Sequence, residues 1–427
     1  RLGFFNGALW QIRISILCAA YSGHFAGMQL FGMKAKKIPE SLVQAAHKAL
    51  DDISDCELGA EIPEATAAAM HEIGISAPRA ENDPSSDAPP GFQIQWRLDQ
   101  IKGVCLGDSE REPDEERCRQ LAESLMEETT SERGSLIVRL VDMLRDLPFE
   151  ARKMVSMIFS WLMRREQIDF ASYVIAHPGI LRHLVKNCAD QDIGLNCGIM
   201  LREATRSEAV AAVLLEQPEE YVWVFFEEYL HLPNFDMASD ALATLRDLLT
   251  RHKKVAQAFL EANYDAIFGP EDDPKGGFYV DLLESQNYVS RRQSLKLLSE
   301  LLLHRDNFSV MMRFISSKQN LQRIMILLRD QSGNIQFEAF HVFKVFVANP
   351  KKPLNVAKVL VKNKAKLVEY LERFHADKED AQFHEEKQLI IKVLIDLDLP
   401  PAEETVLPPP PDPTQPPPSS TSAASQS

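Results

Sequence analysis

A four-point apolar pattern returns at least four times along this chain, always with the same internal spacing. It is clearest between Asn334 and Pro350, NIQFEAFHVFKVFVANP, where Phe340, Phe343, Phe346 and Val347 stand at offsets of zero, three, six and seven. Those steps mark one face of an α-helix. Leu295, Leu298, Leu301 and Leu302 repeat them, as do Leu242, Leu245, Leu248 and Leu249, and again Val155, Ile158, Trp161 and Leu162. The residue just before the first position is small in three copies, Ala339, Ser294 and Ala241, where two backbones could approach closely; in the fourth it is Met154. Successive copies lie 45, 53 and 87 residues apart, the last being two periods with a poorer copy near Gly198.

Spacing in the forties is that of armadillo and HEAT-type arrays, whose units run roughly 40–47 residues. The 334–350 segment shows why such a unit needs neighbours. Val342, Val345 and Phe346 give it a second apolar flank, so it must be covered on two sides. Asn334 reads as its N-cap and Pro350 as its stop. Alternating runs bounded by Asn-Gly or Asp-Gly turns are missing, which argues against strands. The expected fold class is therefore all-α, an armadillo/HEAT-like right-handed α-α superhelix built as a solenoid of helical repeats. Unrelated amphipathic helices could share a leucine pattern, but four copies in register argue against it.

Along the chain, Arg1 to residue 30 reads as an N-terminal extension outside the array. Ile12 to Ala20 is apolar enough to mimic the core of a signal peptide, yet no disulfide framework follows, and upstream translated sequence is the simpler account. Amphipathic helices are expected at Pro39–Ile53, from Ile94 with Leu98, Ile101 and Val104, at Glu115–Glu128 and at Leu136–Leu147. Pro, Asp and Ser crowd residues 77–91, a flexible insertion. A breaker-rich loop, Gly269 to Gly277, accounts for the long period of 53. Val356–Lys362 and Leu367–Phe374 read as a further helix pair, and Glu386–Leu397 as a terminal helix. From residue 399 to 427 the chain is Pro and Ser rich and cannot bury a core. It could serve an SH3 or WW module but reads more simply as a solubilising tail. The array itself spans residues 31–398.

Charge is unevenly placed. Between Tyr288 and His375 there are 16 Lys and Arg against 6 Asp and Glu, on a chain whose formal net charge is −15. The C-terminal third is thus a basic surface on an acidic protein, either a solvated face or a dock for an acidic partner. The six cysteines, at 18, 56, 105, 118, 188 and 197, show no C-x-x-C spacing and read as reduced thiols of a cytosolic protein, Cys188 and Cys197 as buried ones. No run approaches the roughly 20 apolar residues that a membrane span needs.

Catalytic and metal signatures fail on inspection. His71-Glu72 and His384-Glu385 lack the second histidine of a zinc-protease helix, and Walker A, G-x-S-x-G and G-x-G-x-x-G are absent. The acidic loop at Glu271–Gly277 resembles a calcium loop in composition only, because its oxygens miss the required positions. His341, on an apolar helix, reads as a core residue. No enzyme, cofactor or metal is expected. A stacked array offers instead an extended concave face suited to another protein. Tyr288, Arg292 and Lys296 step by four and form one stripe there, with Met325 in the next helix pair and Lys362 in the one after.

The motifs NIQFEAFHVFKVFVANP, NYVSRRQSLKLLSELLLHRDNF (287–308), ASDALATLRDLLTRHK (238–253) and LNCGIMLRE (195–203) closely resemble the Mo25 family, also called calcium-binding protein 39. FGMKAKKIPESL from Phe31 looks like that family's usual beginning. The resemblance implies a non-catalytic armadillo-like scaffold that binds sterile-20-type kinases or the pseudokinase STRAD and holds the kinase fold closed and active. In fungal members the partner is a germinal-centre kinase of the morphogenesis network, which implies a cytoplasmic protein gathered at sites of polarised growth or division. It also implies concave contact positions at Tyr288, Arg292, Lys296, Phe308 and Met325, and a pocket at Met325 and Lys362 for a Trp-Glu-Phe type C-terminal peptide. The scaffold would be a monomer within a hetero-complex. The extension, the 77–91 insertion and the tail depart from the family pattern and inherit no role. Two rivals are weaker: an importin-like adaptor for basic peptides would need a Trp and Asn ladder, and an RNA-binding repeat a recurring base-reading trio.

Overall fold

The computed structural model describes residues 39–55, 88–107, 113–128, 134–270, 276–376 and 379–399. The N-terminal extension, the motif at Phe31, Cys18, Cys56, His71, most of the 77–91 insertion, most of the acidic loop and the Pro-rich tail lie outside those residues.

Among the described residues every regular element is helical. A ladder runs through α1 (Pro39–Asp55), α2 (Pro90–Leu106), α3 (Phe149–Arg164), α4 (Gly194–Ala204), α5 (Phe235–Thr250), α6 (Tyr288–Leu303), α7 (Gly333–Ala348) and α8 (Ala381–Ile395), each packed on the one before. Helices between them form a second course, in which Glu208–Glu216, Lys253–Ala262, Phe308–Ser316, Lys318–Leu327 and Leu354–Arg373 touch in sequence. One apolar core runs unbroken from Leu42 to Leu394. This is an all-α, armadillo-like solenoid, each unit covering its neighbours' apolar faces.

The repeat positions are where the core sits. Phe340, Phe343, Phe346 and Val347 are fully buried, and so, within 2%, are Leu295, Leu298, Leu301 and Leu302. In α5 the first position, Leu242, is half-buried while Leu245, Leu248 and Leu249 are buried. Small residues stand where backbones meet: Ala339, Ser294 and Ala241 are all buried at the contacts of α5, α6 and α7. The copy near Gly198 is complete too, with Gly198, Leu201, Ala204 and Thr205 buried at the same four offsets. Its first side chain is missing because the space is taken: a Cβ on Gly198 would lie 2.0 Å from Asp240 Oδ2. Asp240 pairs with Arg202 at 2.7 Å, and Arg202 also donates to Thr244 Oγ1 at 2.8 Å, so a half-buried ion pair ties α4 to α5 where an apolar contact stands elsewhere.

Four local expectations change. Helix α7 begins at Gly333 with Ser332 at the cap position, and Asn334 lies inside it, its amide turned towards α6. Val356–Lys362 and Leu367–Phe374 are one helix, Leu354–Arg373, because the intervening Asn363–Lys366 holds neither Gly nor Pro and simply forms its polar side. The Leu136 helix ends at Asp142, and its remainder to Asp146 is turns. Cys105 is buried on α2, whereas Val104 is half-buried.

The loop expected at Gly269–Gly277 does separate two helices, Tyr264–Phe268 and Phe278–Leu283. Gly269 and Gly276 both have positive φ, 84° and 77°, the left-handed region that favours glycine. A Cβ on Gly269 would lie 2.5 Å from the Gly276 Cα, so the loop leaves and re-enters at one point.

Candidate partner-docking surface

Asn287 caps α6, its Oδ1 accepting from the Val289 and Ser290 amides at 2.9 and 3.2 Å. The cap fixes the register of the whole helix. Leu295, Leu298 and Leu302 then point into the core, and Tyr288, Arg292 and Lys296, stepping by four, run along the stripe beside them. Tyr288 is 39% exposed, Arg292 half-buried and Lys296 exposed. Asn334 Nδ2 donates to the Tyr288 hydroxyl at 3.1 Å. Hydrogen bonds with Ser332 and Asn334, together with the Arg292 charge, hold that phenol below its ordinary pKa.

Two adjacent arginines divide the work. Arg291 forms an ion pair with Asp330 at 3.1 Å and donates to the Ser285 carbonyl, fastening α6 to the start of α7. Among the described residues neither Arg292 nor Lys296 has a carboxylate within 4.0 Å, so both charges remain available to a partner.

Phe308, 61% exposed, opens Phe308–Ser316, separated from α6 by the 3₁₀ turn Arg305–Asn307. Met325 is half-buried against the core from Lys318–Leu327, beside Ile326, which is 71% exposed. Lys362 lies two helices further on, lining a groove with Val361, Lys364, Ala365, Val368 and Ile395. Met325 is not part of that lining. The structure thus brings Tyr288, Arg292 and Lys296 onto one stripe and sets Phe308, Met325 and Lys362 on separate helices.

Sequence reasoning missed an apolar continuation of the stripe. Phe235 follows an asparagine cap at the head of α5 as Tyr288 does in α6, and it is 52% exposed. Leu195 and Ile199 occupy in α4 the register that Arg292 and Lys296 hold in α6, and are 50% and 43% exposed. The half-buried Ser239 and Ala243, both small, take those positions in α5. The face therefore passes from aliphatic on α4, through one exposed ring and two small residues on α5, to aromatic and basic on α6. The signal lay in the paired Asn-Phe and Asn-Tyr dipeptides, whose aromatic residue stands seven positions ahead of the first repeat position.

Polar clusters elsewhere are structural. The Tyr173 hydroxyl lies 2.6 Å from Ser135 Oγ and 3.0 Å from the Glu128 carboxylate, and burial pushes its pKa up to about 12. His177 places Nε2 3.0 Å from that carboxylate and Nδ1 2.8 Å from the Tyr173 carbonyl, so both ring nitrogens sit within the same hydrogen-bonded cluster. Burial raises the Cys197 thiol to about 12 and the Cys188 thiol well above its ordinary value, the reverse of what a nucleophile needs. Among the described residues no group of three His, Cys, Asp or Glu could hold a metal ion, and no helix is long and apolar enough to cross a membrane.

Similarity to known proteins runs along nearly the whole ladder. The Mo25 family model, described as Mo25-like, matches residues 29–398. The human calcium-binding protein 39-like is 44% identical over 309 residues, covering 71% of this chain and 87% of that protein. The Mo25-like protein of Schizosaccharomyces pombe is 42% identical over 313 residues, covering 72% and 90%. The conidiophore development protein hymA of Emericella nidulans is 32% identical over 351 residues, covering 75% and 88%.

Proposed function

This chain belongs to the Mo25 family, and from that premise we propose that it is a non-catalytic scaffold for a sterile-20-type (germinal-centre) kinase or a STRAD-like pseudokinase. It holds the kinase fold in its closed, active arrangement on the ladder face. Residues 31–398 form the working array, and the extension and tail lie outside it. The observation that carries the reading is the stripe of Tyr288, Arg292 and Lys296. Its two cations have no carboxylate partner among the described residues, and the face continues through the exposed Phe235 on α5 to the exposed Leu195 and Ile199 on α4. Such a surface offers a partner aromatic and aliphatic anchors beside fixed charge, the composition of a protein-binding hot spot.

The mechanism is a population shift. A kinase samples open and closed forms, and a preformed surface that fits only the closed one raises its occupancy by the difference in binding free energy. If the closed form were about 1% populated, a preference of roughly 5 kcal/mol would make it dominant. A fixed stripe suits that task, because Asn287 at its head and Asn334 across from Tyr288 hold the residues in place before the partner arrives. Phe308 and Met325 extend the contact, and Lys362 supplies the cation for a carboxylate in a partner's C-terminal peptide. The reading includes a role in polarity and morphogenesis, with the complex in the cytoplasm near growing or dividing sites; the Emericella nidulans relative is named for conidiophore development.

The test is reconstitution with a sterile-20-type kinase and a peptide substrate. Wild-type protein should raise phosphorylation, and Arg292→Ala or Met325→Ala should lower that stimulation tenfold or more. Equal stimulation by all three would refute the site. Binding without stimulation would instead favour an armadillo-type peptide or cargo adaptor.

A further inference from the structure

The groove beside Lys362 lies where the described chain ends. It has a volume of about 600 Å³ between Leu354–Arg373 and the end of α8 and is lined by Val361, Lys362, Ala365, Val368 and the 53%-exposed Ile395. Lys364 on its rim donates to the Leu397 carbonyl at 2.9 Å and lies 3.6 Å from the Asp398 carboxylate, which fixes the point where the chain leaves α8. Lys358, Lys362 and Lys366 step by four along the groove helix, all exposed, and none has a carboxylate within 4.0 Å among the described residues. Glu369 and Glu372 lie towards the other end, Glu369 paired with Arg373.

Beyond Leu399 the sequence continues PPAEETVLPP. It presents two carboxylates, Glu403 and Glu404, and then two apolar side chains, Val406 and Leu407. We propose that this segment, Glu403–Leu407, docks in the groove of its own chain, its carboxylates at Lys362 and Lys366 and its Val-Leu pair on Val361, Ala365, Val368 and Ile395. Reach permits it. Seven residues from Leu399 to Val406 span about 22 Å at roughly 3.1 Å each, and the groove helix from Val361 to Glu372 runs about 16 Å. Charge orders the segment, since Glu369 and Glu372 repel carboxylates from the far end while the lysine stripe receives them. The short tether matters most. It presents the segment at an effective concentration of about millimolar, so even weak complementarity fills the groove. The regulatory consequence rests on the kinase-scaffold reading: the tail covers Lys362 until a partner's C-terminal peptide displaces it.

A Glu-specific endoproteinase reads the docking directly in the full chain. Cleavage after Glu403 and Glu404, followed by mass spectrometry and normalised to a free peptide of residues 399–411, should be at least fivefold slower in the wild type. Lys362→Glu/Lys366→Glu should restore the free-peptide rate. Val406→Asp/Leu407→Asp, which leaves the folded body untouched, should do the same. Wild-type cleavage at the free-peptide rate, or protection that survives both double variants, would overturn the proposal. Truncation after Leu399 should raise affinity for an acidic partner peptide severalfold. Protected Glu sites without kinase stimulation would refute the scaffold reading and leave the docking intact.

Discussion

At the scale of single residues, Gly198 has a specific cause. Its missing Cβ makes room for Asp240, which is itself held by Arg202, and both side chains are mostly buried, 15% and 11% exposed. Gly198→Ala would force that pair apart, and we expect a loss of about 2 kcal/mol by urea denaturation. The same substitution in an Asp240→Ala background should cost much less, because the obstacle is gone. A second residue carries a pH signature. Lys344 donates to Glu386 at 2.6 Å across α7 and α8 and holds its carboxyl below the ordinary 4.5. The folded form thus stays ionised at pH values where the unfolded chain has taken up a proton. The stabilisation is complete above the ordinary value and disappears as pH falls through the folded one. Glu386→Gln should be about 1 kcal/mol less stable than wild type at pH 7, and the gap should close as pH falls below the ordinary carboxyl value and through the lowered one of the folded form.

At the scale of elements, the 20-residue helix Leu354–Arg373 separates two readings of the same residues. Were it two short helices, proline would be tolerated between them. As one helix it should lose about 3 kcal/mol on Ala365→Pro, with amide exchange accelerating through the 354–373 segment. The difference shows what the sequence can and cannot display. Helices buried on both sides announce themselves through the offsets zero, three, six and seven, so α5, α6 and α7 were legible as a repeat. A helix with one wet side carries a polar run such as Asn363–Lys366, which looks like a loop until its backbone is seen. Caps were half legible: the asparagine expected to start α7 lies one residue inside it, having been recruited to the Tyr288 hydroxyl instead. The Tyr288, Arg292 and Lys296 stripe followed from helical spacing alone. Leu195, Ile199 and Phe235 did not, because exposure on a ladder depends on what neighbouring helices cover, which is a tertiary fact.

At the scale of the molecule, contacts are confined to neighbours along the ladder and its second course, so stability adds up locally. Chemical denaturation should be broad, with a slope well below that of a single cooperative unit of this size, and amide exchange should differ between the two ends. The surplus of positive charge between Tyr288 and His375 acts over the same length scale. An acidic partner should associate faster at low salt, and raising ionic strength from about 50 to 300 mM should weaken the complex roughly tenfold, mostly through the on-rate. The glycine neck at Gly269 and Gly276 has a consequence for how such a chain can vary. Since its two ends meet, the segment between them can be lengthened, shortened or exchanged for a reporter domain without shifting the floors above or below. It is a natural splice point, where a lineage or an engineer can hang new cargo on the stack while its register stays untouched.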